Sequence, residues 1–408
     1  MIRGCGTKTL PLCSLLCHIS VAALLAIVSP KQLHAQGDLG GRATGQMASQ
    51  TNWQQLGYNN AHTGLNSFEK VLSAATVGNL KEKWTFTTRG IVLSSPAVVN
   101  GIAYFGSGDG DVYAVNADTG AMVWKTPLGG GGTSSSPAVV HGLVYIGTGV
   151  DHGFFYALSA ATGKIAWKFL PGAGVASSPA VAGGKVYFGA NDSKVYALNA
   201  STGTLVWATT TDASVFSSPA VDSGKVYVAS TGGTTYALDA ANGVVEWTFT
   251  NPGIPIFSSP AVANQLVYLG ETDGNVYALN ASTGAVVWSH FISPLGLEVL
   301  DSPAVASGVV YIGANDGSFW ALDAATGATV WSAMIANVIF FNSTVVANGV
   351  VYAGGESPSL YALDALNGKV LKTLTTAASG GISSAAVVNG KVYFGAFNHK
   401  LHAYDLRK

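Results

Sequence analysis

Glu298 and Asp301, two carboxylates three residues apart, are the pair in this sequence whose types and spacing are best suited to chemistry. Together they offer hard oxygen ligands of the kind Ca2+ takes, or one of them offers a base for proton abstraction. An ordinary solvated loop is the simpler reading of the same two residues. Other acids at turns, Asp109, Asp273 and Asp316, are explained by the turns themselves, because Asp hydrogen-bonds its own backbone two residues on. The histidines show no metal-ligand spacing. His399 and His402 lie three apart across a turn and a strand, which sends them to opposite faces, and His402 takes a position filled by Tyr in sister segments. No metal site is expected. The three cysteines, Cys5, Cys13 and Cys17, all fall in the first 17 residues. A chain processed after Ala35 has none, and with them go disulfides, thiolate metal sites and covalent haem.

The elements that would position these groups repeat. Ser-Ser-Pro-Ala-Val occurs at 94–98, 135–139, 177–181, 217–221 and 258–262, with variants at 301–305, 342–346 and 383–387, a step of 40 to 43 residues. Each of the eight units reads as four short strands. Asn-Gly dipeptides (Asn100-Gly101, Asn348-Gly349, Asn389-Gly390) supply the positive φ angles of type I′ hairpins. Asp-Gly turns follow the second strand, and Thr-Gly turns precede a strand ending in Trp. Four strands at this period make a propeller blade. The last copy stops after three strands, while Leu80–Phe86 is a Trp-bearing strand with no blade before it. The spacing therefore predicts an all-β, eight-bladed propeller of four-stranded antiparallel blades, the eighth closed by the N-terminal strand. Trp84, Trp124, Trp167, Trp207, Trp247, Trp288 and Trp331 share one position and should wedge neighbouring blades together. Leu371 is read as the substitute in blade seven, which makes that junction the weakest. One short helix, capped by Ser73, is expected between the tether and the first strand.

Arg3 and Lys8 precede an apolar run from Ile19 to Val28, and Ala35 offers a cleavage point, so 1–35 reads as a signal peptide. The run is short for a permanent membrane span, with an uncleaved signal anchor as the alternative reading. Residues 36–52 read as a flexible linker, and 53–408 as the propeller. Export to the periplasm, the medium or the cell surface follows. The formal charge of −1 becomes about −4 once the leader's Arg3, Lys8 and Lys31 are gone, which gives nucleic acid no electrostatic footprint.

Val-Tyr-Ala-Leu-Asn-Ala-Ser-Thr-Gly-Ala-Val-Val-Trp at 276–288 resembles the signature of pyrroloquinoline-quinone-type propeller repeats. The opening Trp53-Gln-Gln-Leu-Gly-Tyr, followed by His62-Thr63-Gly64-Leu65-Asn66, is similar to the segment before the first blade in that superfamily. It includes quinone-dependent alcohol dehydrogenases and the outer-membrane β-barrel assembly lipoprotein. For a dehydrogenase, the resemblance implies pyrroloquinoline quinone (PQQ) and Ca2+ on the axis, with an acid as base, a cation over the quinone and a Trp beneath it. Asp301 or Glu298 would then be base or Ca2+ ligand, and Arg89 the cation. Trp320, in a Tyr position of the repeat, reads as core, and the adjacent cysteines of many such enzymes are missing.

The loops entering the inner strands are apolar: Ile91-Val92-Leu93, Val215-Phe216, Ile254-Pro255-Ile256-Phe257, Leu295-Gly296-Leu297 and Val338-Ile339-Phe340-Phe341. Half should face neighbouring blades, and the rest would ring the mouth of the axis as a partner or ligand site. The preferred reading is an exported, monomeric, non-catalytic propeller that binds a protein or peptide partner at the loop face and needs no cofactor. The alternative is a haem-free dehydrogenase of alcohols or sugars using PQQ and calcium.

Overall fold

The computed structural model describes residues 52–129, 131–149, 153–335, 342–355, 358–377 and 380–406. The leader, all but the last linker residue, Asp151, His152, Glu356 and the apolar segment 338–341 lie outside the described residues. Eight antiparallel sheets form the propeller. Blade 1 comprises Ala97–Val99, Ile102–Gly106, Asp111–Asn116 and Met122–Pro127; the innermost strands of blades 2 to 8 are Ala138–Val140, Ala180–Ala182, Ala220–Asp222, Ala261–Ala263, Ala304–Ala306, Val345–Ala347 and Ala386–Val388. Asn100 and Gly101 sit at φ 52° and 76°, the hairpin geometry their types demand. Blade 8 is completed by Lys81–Thr87, which runs antiparallel to Lys400–Asp405 with Lys81 opposite Asp405 and Thr87 opposite Lys400. The ring therefore closes by hydrogen bonds between the two ends of the propeller.

The tryptophans do more than fill space. Each indole N–H donates to an Ala carbonyl of the next blade, from Trp84 to Ala117 (3.3 Å) round to Trp331 and Ala365 (2.9 Å). In seven of the eight blades a second-strand Tyr hydroxyl reaches the same carbonyl, as Tyr268 and Trp288 both do at Ala324 (3.0 Å each). The glycine of the facing turn lies flat on the indole: a Cβ on Gly284, at φ 71°, would stand 2.5 Å from Trp247. At the junction of blades 7 and 8 the register corrects the sequence reading. Ala362 pairs with Lys372, whereas Ala321 pairs with Trp331, so Lys372 and not Leu371 holds the Trp position. Its ammonium donates to the Gly78 carbonyl (3.2 Å), and the blade 7 Tyr352 hydroxyl is buried without a partner.

The expected helix is also revised. Ser73 caps nothing; its hydroxyl pairs with that of Thr76 (3.2 Å), and the helical segment is a single 3-10 turn, Val77–Asn79. Before it, the chain from Trp53 to Asn66 forms a collar inside the ring. Trp53 exchanges two backbone hydrogen bonds with Val98, and the fifth residue of the repeat motif in each later blade takes one bond from the same segment. Val139 N–H donates to the Gln54 carbonyl, Val181 to Gln55 Oε1, Val221 to the Asn60 carbonyl, Val262 to Ala61, Val305 to Thr63 and Val346 to Gly64; Asn66 Nδ2 donates to the Val387 carbonyl. The collar satisfies inner-strand polar groups that face the axis, which is why 14 residues without repeat character can seal one end.

Candidate functional site: the axial cavity

The first and second residues of each Ser-Ser motif divide the labour. The first serine holds its own blade: Ser94 Oγ accepts Gly106 N–H (3.0 Å), and Ser135, Ser177, Ser217, Ser258 and Ser383 do likewise. The second serine joins blades. Ser95 N–H donates to Ser136 Oγ, Ser136 to Ser178, Ser178 to Ser218, Ser218 to Ser259 and Ser259 to Ser302, each at 2.9 Å, and Ser343 donates to Ser384 at 2.8 Å. Each of these hydroxyls, having accepted, keeps a proton to donate. They line an axial cavity of about 320 Å3, floored by Leu56 of the collar.

Leu93, Phe216, Phe257 and Leu300 stand above the serines in the lining, while their predecessors Val92, Val215, Ile256 and Val299 are fully buried between blades. Strand-like alternation thus splits three of the five apolar loops named from the sequence, those ending at Leu93, Phe216 and Phe257, between the blade interface and the lip. Phe216 and Phe257 are in ring contact at 5.9 Å. Leu295 and Leu297 are exposed and lie outside the lining. Leu56, Leu300, Ile382 and Phe397 join the lining, and sequence reasoning missed them; the serine ring had a signal, since the second Ser recurs at the blade period. Among the described residues the lining holds no carboxylate and no cation.

The candidate catalytic residues are placed elsewhere. Asp301 is 1% exposed and occupies the first motif position, where its Oδ2 accepts Gly313 N–H (2.9 Å) and the Thr344 hydroxyl (2.8 Å). Its Oδ1 is buried without a partner, and burial pushes the carboxyl up to about 7 against those hydrogen bonds. Glu298 is exposed and accepts from Asn315 Nδ2 (3.2 Å). Arg89 is 75% exposed along its side chain and lies 3.4 Å from Asp111, which Lys125 also reaches (3.1 Å). None of the three lines the cavity, and no hydrogen bond or ion pair joins any two of them among the described residues. Trp320 packs half-buried against the blade 5–6 core with its indole on Ser318 (2.9 Å). His402 stacks on Phe394 (5.5 Å) with Nδ1 2.6 Å from Glu82, and burial pulls its pKa down. Among the described residues no group of three His, Cys, Asp or Glu side chains is set to hold a metal.

The profile of the family described as outer membrane protein assembly factor BamB matches residues 41–177, 151–298 and 293–408. The chain belongs to the BamB family. Solved structures share the fold of this BamB-family propeller: BamB from Moraxella catarrhalis superposes with a TM-score of 0.67 at 18% identity over 80% of this chain and 97% of its own. Quinohemoprotein alcohol dehydrogenase from Comamonas testosteroni gives 0.74 at 16% identity over 87% and 80% of the two chains. At such identities the likeness is one of fold. Among curated proteins, tetrathionate hydrolase of Acidithiobacillus ferrooxidans is 30% identical over 105 residues, 26% of this chain, and the match spans about a fifth (21%) of that protein's length. No described helix is long and apolar enough to cross a membrane.

Proposed function

We propose that this BamB-family propeller is an exported, monomeric, non-catalytic scaffold that takes a protein or peptide partner on its loop face. The observation that carries the reading is the axial cavity: an uncharged pocket with serine hydroxyls below and an apolar lip of Leu93, Phe216, Phe257 and Leu300 above. Such a pocket suits an apolar side chain delivered on a peptide, whose carbonyls the hydroxyls can meet. The quinone-dependent alternative finds less support in the same donor set. PQQ is a polycarboxylate anion and Ca2+ takes carboxylate and carbonyl oxygens; the described lining supplies neither a cation for the one nor a carboxylate for the other.

The test replaces Phe216 or Phe257 with a photo-cross-linking amino acid in the full chain and irradiates it in envelope preparations, with outer-strand Val287 as the control position. A discrete adduct from the lip and none from Val287 is the expected result; equal yields from all three positions would defeat the reading. In parallel, the protein is titrated with PQQ plus Ca2+ beside a dye-coupled alcohol oxidation assay. Stoichiometric binding with turnover, lost in Asp301→Ala or Glu298→Ala, would replace the scaffold by the dehydrogenase.

A further inference from the structure

Glu271 ends the second strand of blade 5, Leu266–Gly270, at a position that holds Ser107 in blade 1 and Ser230 in blade 4. It is fully buried, its Oε2 accepts from Asn251 Nδ2 (2.9 Å), and its Oε1 has no hydrogen-bond partner. Asp273, half-buried two residues later, uses Oδ1 for its turn, accepting Asn275 N–H (2.9 Å). Its Oδ2 is left to receive Asn275 Nδ2 (2.9 Å), the Tyr277 hydroxyl (2.8 Å) and the same Asn251 nitrogen (3.3 Å). Two carboxylates thus converge on one amide. In blade 1 the hairpin carboxylates Asp109 and Asp111 stand beside Arg89 and Lys125, each within ion-pair reach of Asp111. In blade 5 no ion pair reaches Glu271 or Asp273 among the described residues.

An uncompensated pair with an orphaned, buried oxygen lacks a positive charge. We infer that Glu271, Asp273, Asn251 and Tyr277 form a site for one hard divalent cation, with Ca2+ the best match to a mixed, irregular set of oxygen donors. Turning the Asn251 amide over exchanges its nitrogen for its oxygen and converts the group that now bridges the carboxylates into a third kind of ligand. Asp273, Asn251 and Tyr277 are only partly buried, so the ion has a route in from the loop face. Bound there, it would clamp the segment after blade 4, from Asn251 to Phe257, onto the blade 5 hairpin, where Thr272 Oγ1 already donates to the Pro255 carbonyl (2.9 Å). This site is separate from the axial cavity, whose lining contains none of the four residues.

The test is equilibrium dialysis of the full chain with radioactive Ca2+, together with thermal unfolding in 10 mM CaCl2 and in EDTA. Glu271→Ser restores the residue of blades 1 and 4 and is the informative variant; Asp301→Ser is the control for an ion on the axis. The expectation is one Ca2+ per chain and a rise in unfolding midpoint of about 2–4 °C for wild type and Asp301→Ser. Both effects should vanish in Glu271→Ser, with its midpoint in EDTA no lower than that of wild type. No bound Ca2+ in wild type at 10 mM would overturn the inference, as would binding that survives in Glu271→Ser or is lost in Asp301→Ser. A lowered EDTA midpoint of Glu271→Ser, with the Ca2+ shift intact, would likewise make Glu271 a structural acid and nothing more.

Discussion

Asp301 stands at a framework position that is serine in six of the eight blades, and its ionisation is therefore a matter of stability. Its folded pKa of about 7 lies above the unfolded value, so the folded state holds the proton more tightly, and stability rises as pH falls from 7 towards 4. Asp301→Asn keeps both hydrogen-bond acceptor roles without the charge. It should stabilise the protein by on the order of 1–2 kcal/mol at pH 8 and by nothing at pH 4, read from denaturant midpoints. His62 acts in the opposite sense. It is buried with both ring nitrogens unpartnered and its pKa is pulled down to about 4 by desolvation, so the neutral ring is favoured and stability is lost as pH drops from 6.5 through 4. His62→Asn, which suits the residue's φ of 53°, should flatten that acid limb in the same measurement. Asp301 could be found by aligning the motifs, since it breaks the Ser-Ser pattern. That His62 and Asp301 are sealed from water could not, because nothing local distinguishes a buried collar residue from one in a surface loop.

The blade junction is the element in which the repeat invests most, and one junction departs from the pattern. Seven Tyr hydroxyls and seven indoles converge on next-blade carbonyls, but Tyr352 has none and Lys372 stands in for Trp. Tyr268→Phe should cost about 1 kcal/mol in chemical unfolding, the worth of one buried hydrogen bond, while Tyr352→Phe should cost nothing or add a few tenths. Gly284→Ala, forced into a left-handed φ with its methyl inside the Trp247 ring, should cost upwards of 2 kcal/mol by the same readout. The departure at this seam was legible from the missing Trp. The identity of its occupant slipped by one residue because Leu371 is apolar and Lys372 is not, and only strand register, counted from the turn glycine, separates the two.

At the scale of the whole molecule the collar decides whether the ring has a floor. Gly64 at φ 66° runs against the Thr344 carbonyl, 2.6 Å from where a Cβ would stand. Gly64→Val should therefore lower the thermal midpoint by several degrees and open the sealed end, seen as faster exchange of the Val305 and Val346 amides that the collar holds. Charge contributes little: 10% of residues are charged, and the ion pairs found include exposed partners. Raising NaCl from 0.05 to 0.5 M should shift the midpoint by no more than about 2 °C, since what holds the ring is burial and hydrogen bonding.

A period of about 41 residues carrying four alternating strands admits one architecture, and a final copy short of a strand requires that the missing one come from the other end; blade number and closure follow from local patterns repeated in step. The collar and the pairing of Glu271 with Asp273 through Asn251 are contacts between residues that no period relates. Each depends on which groups face the axis or the neighbouring blade once the ring has closed, and that is set by packing across the molecule.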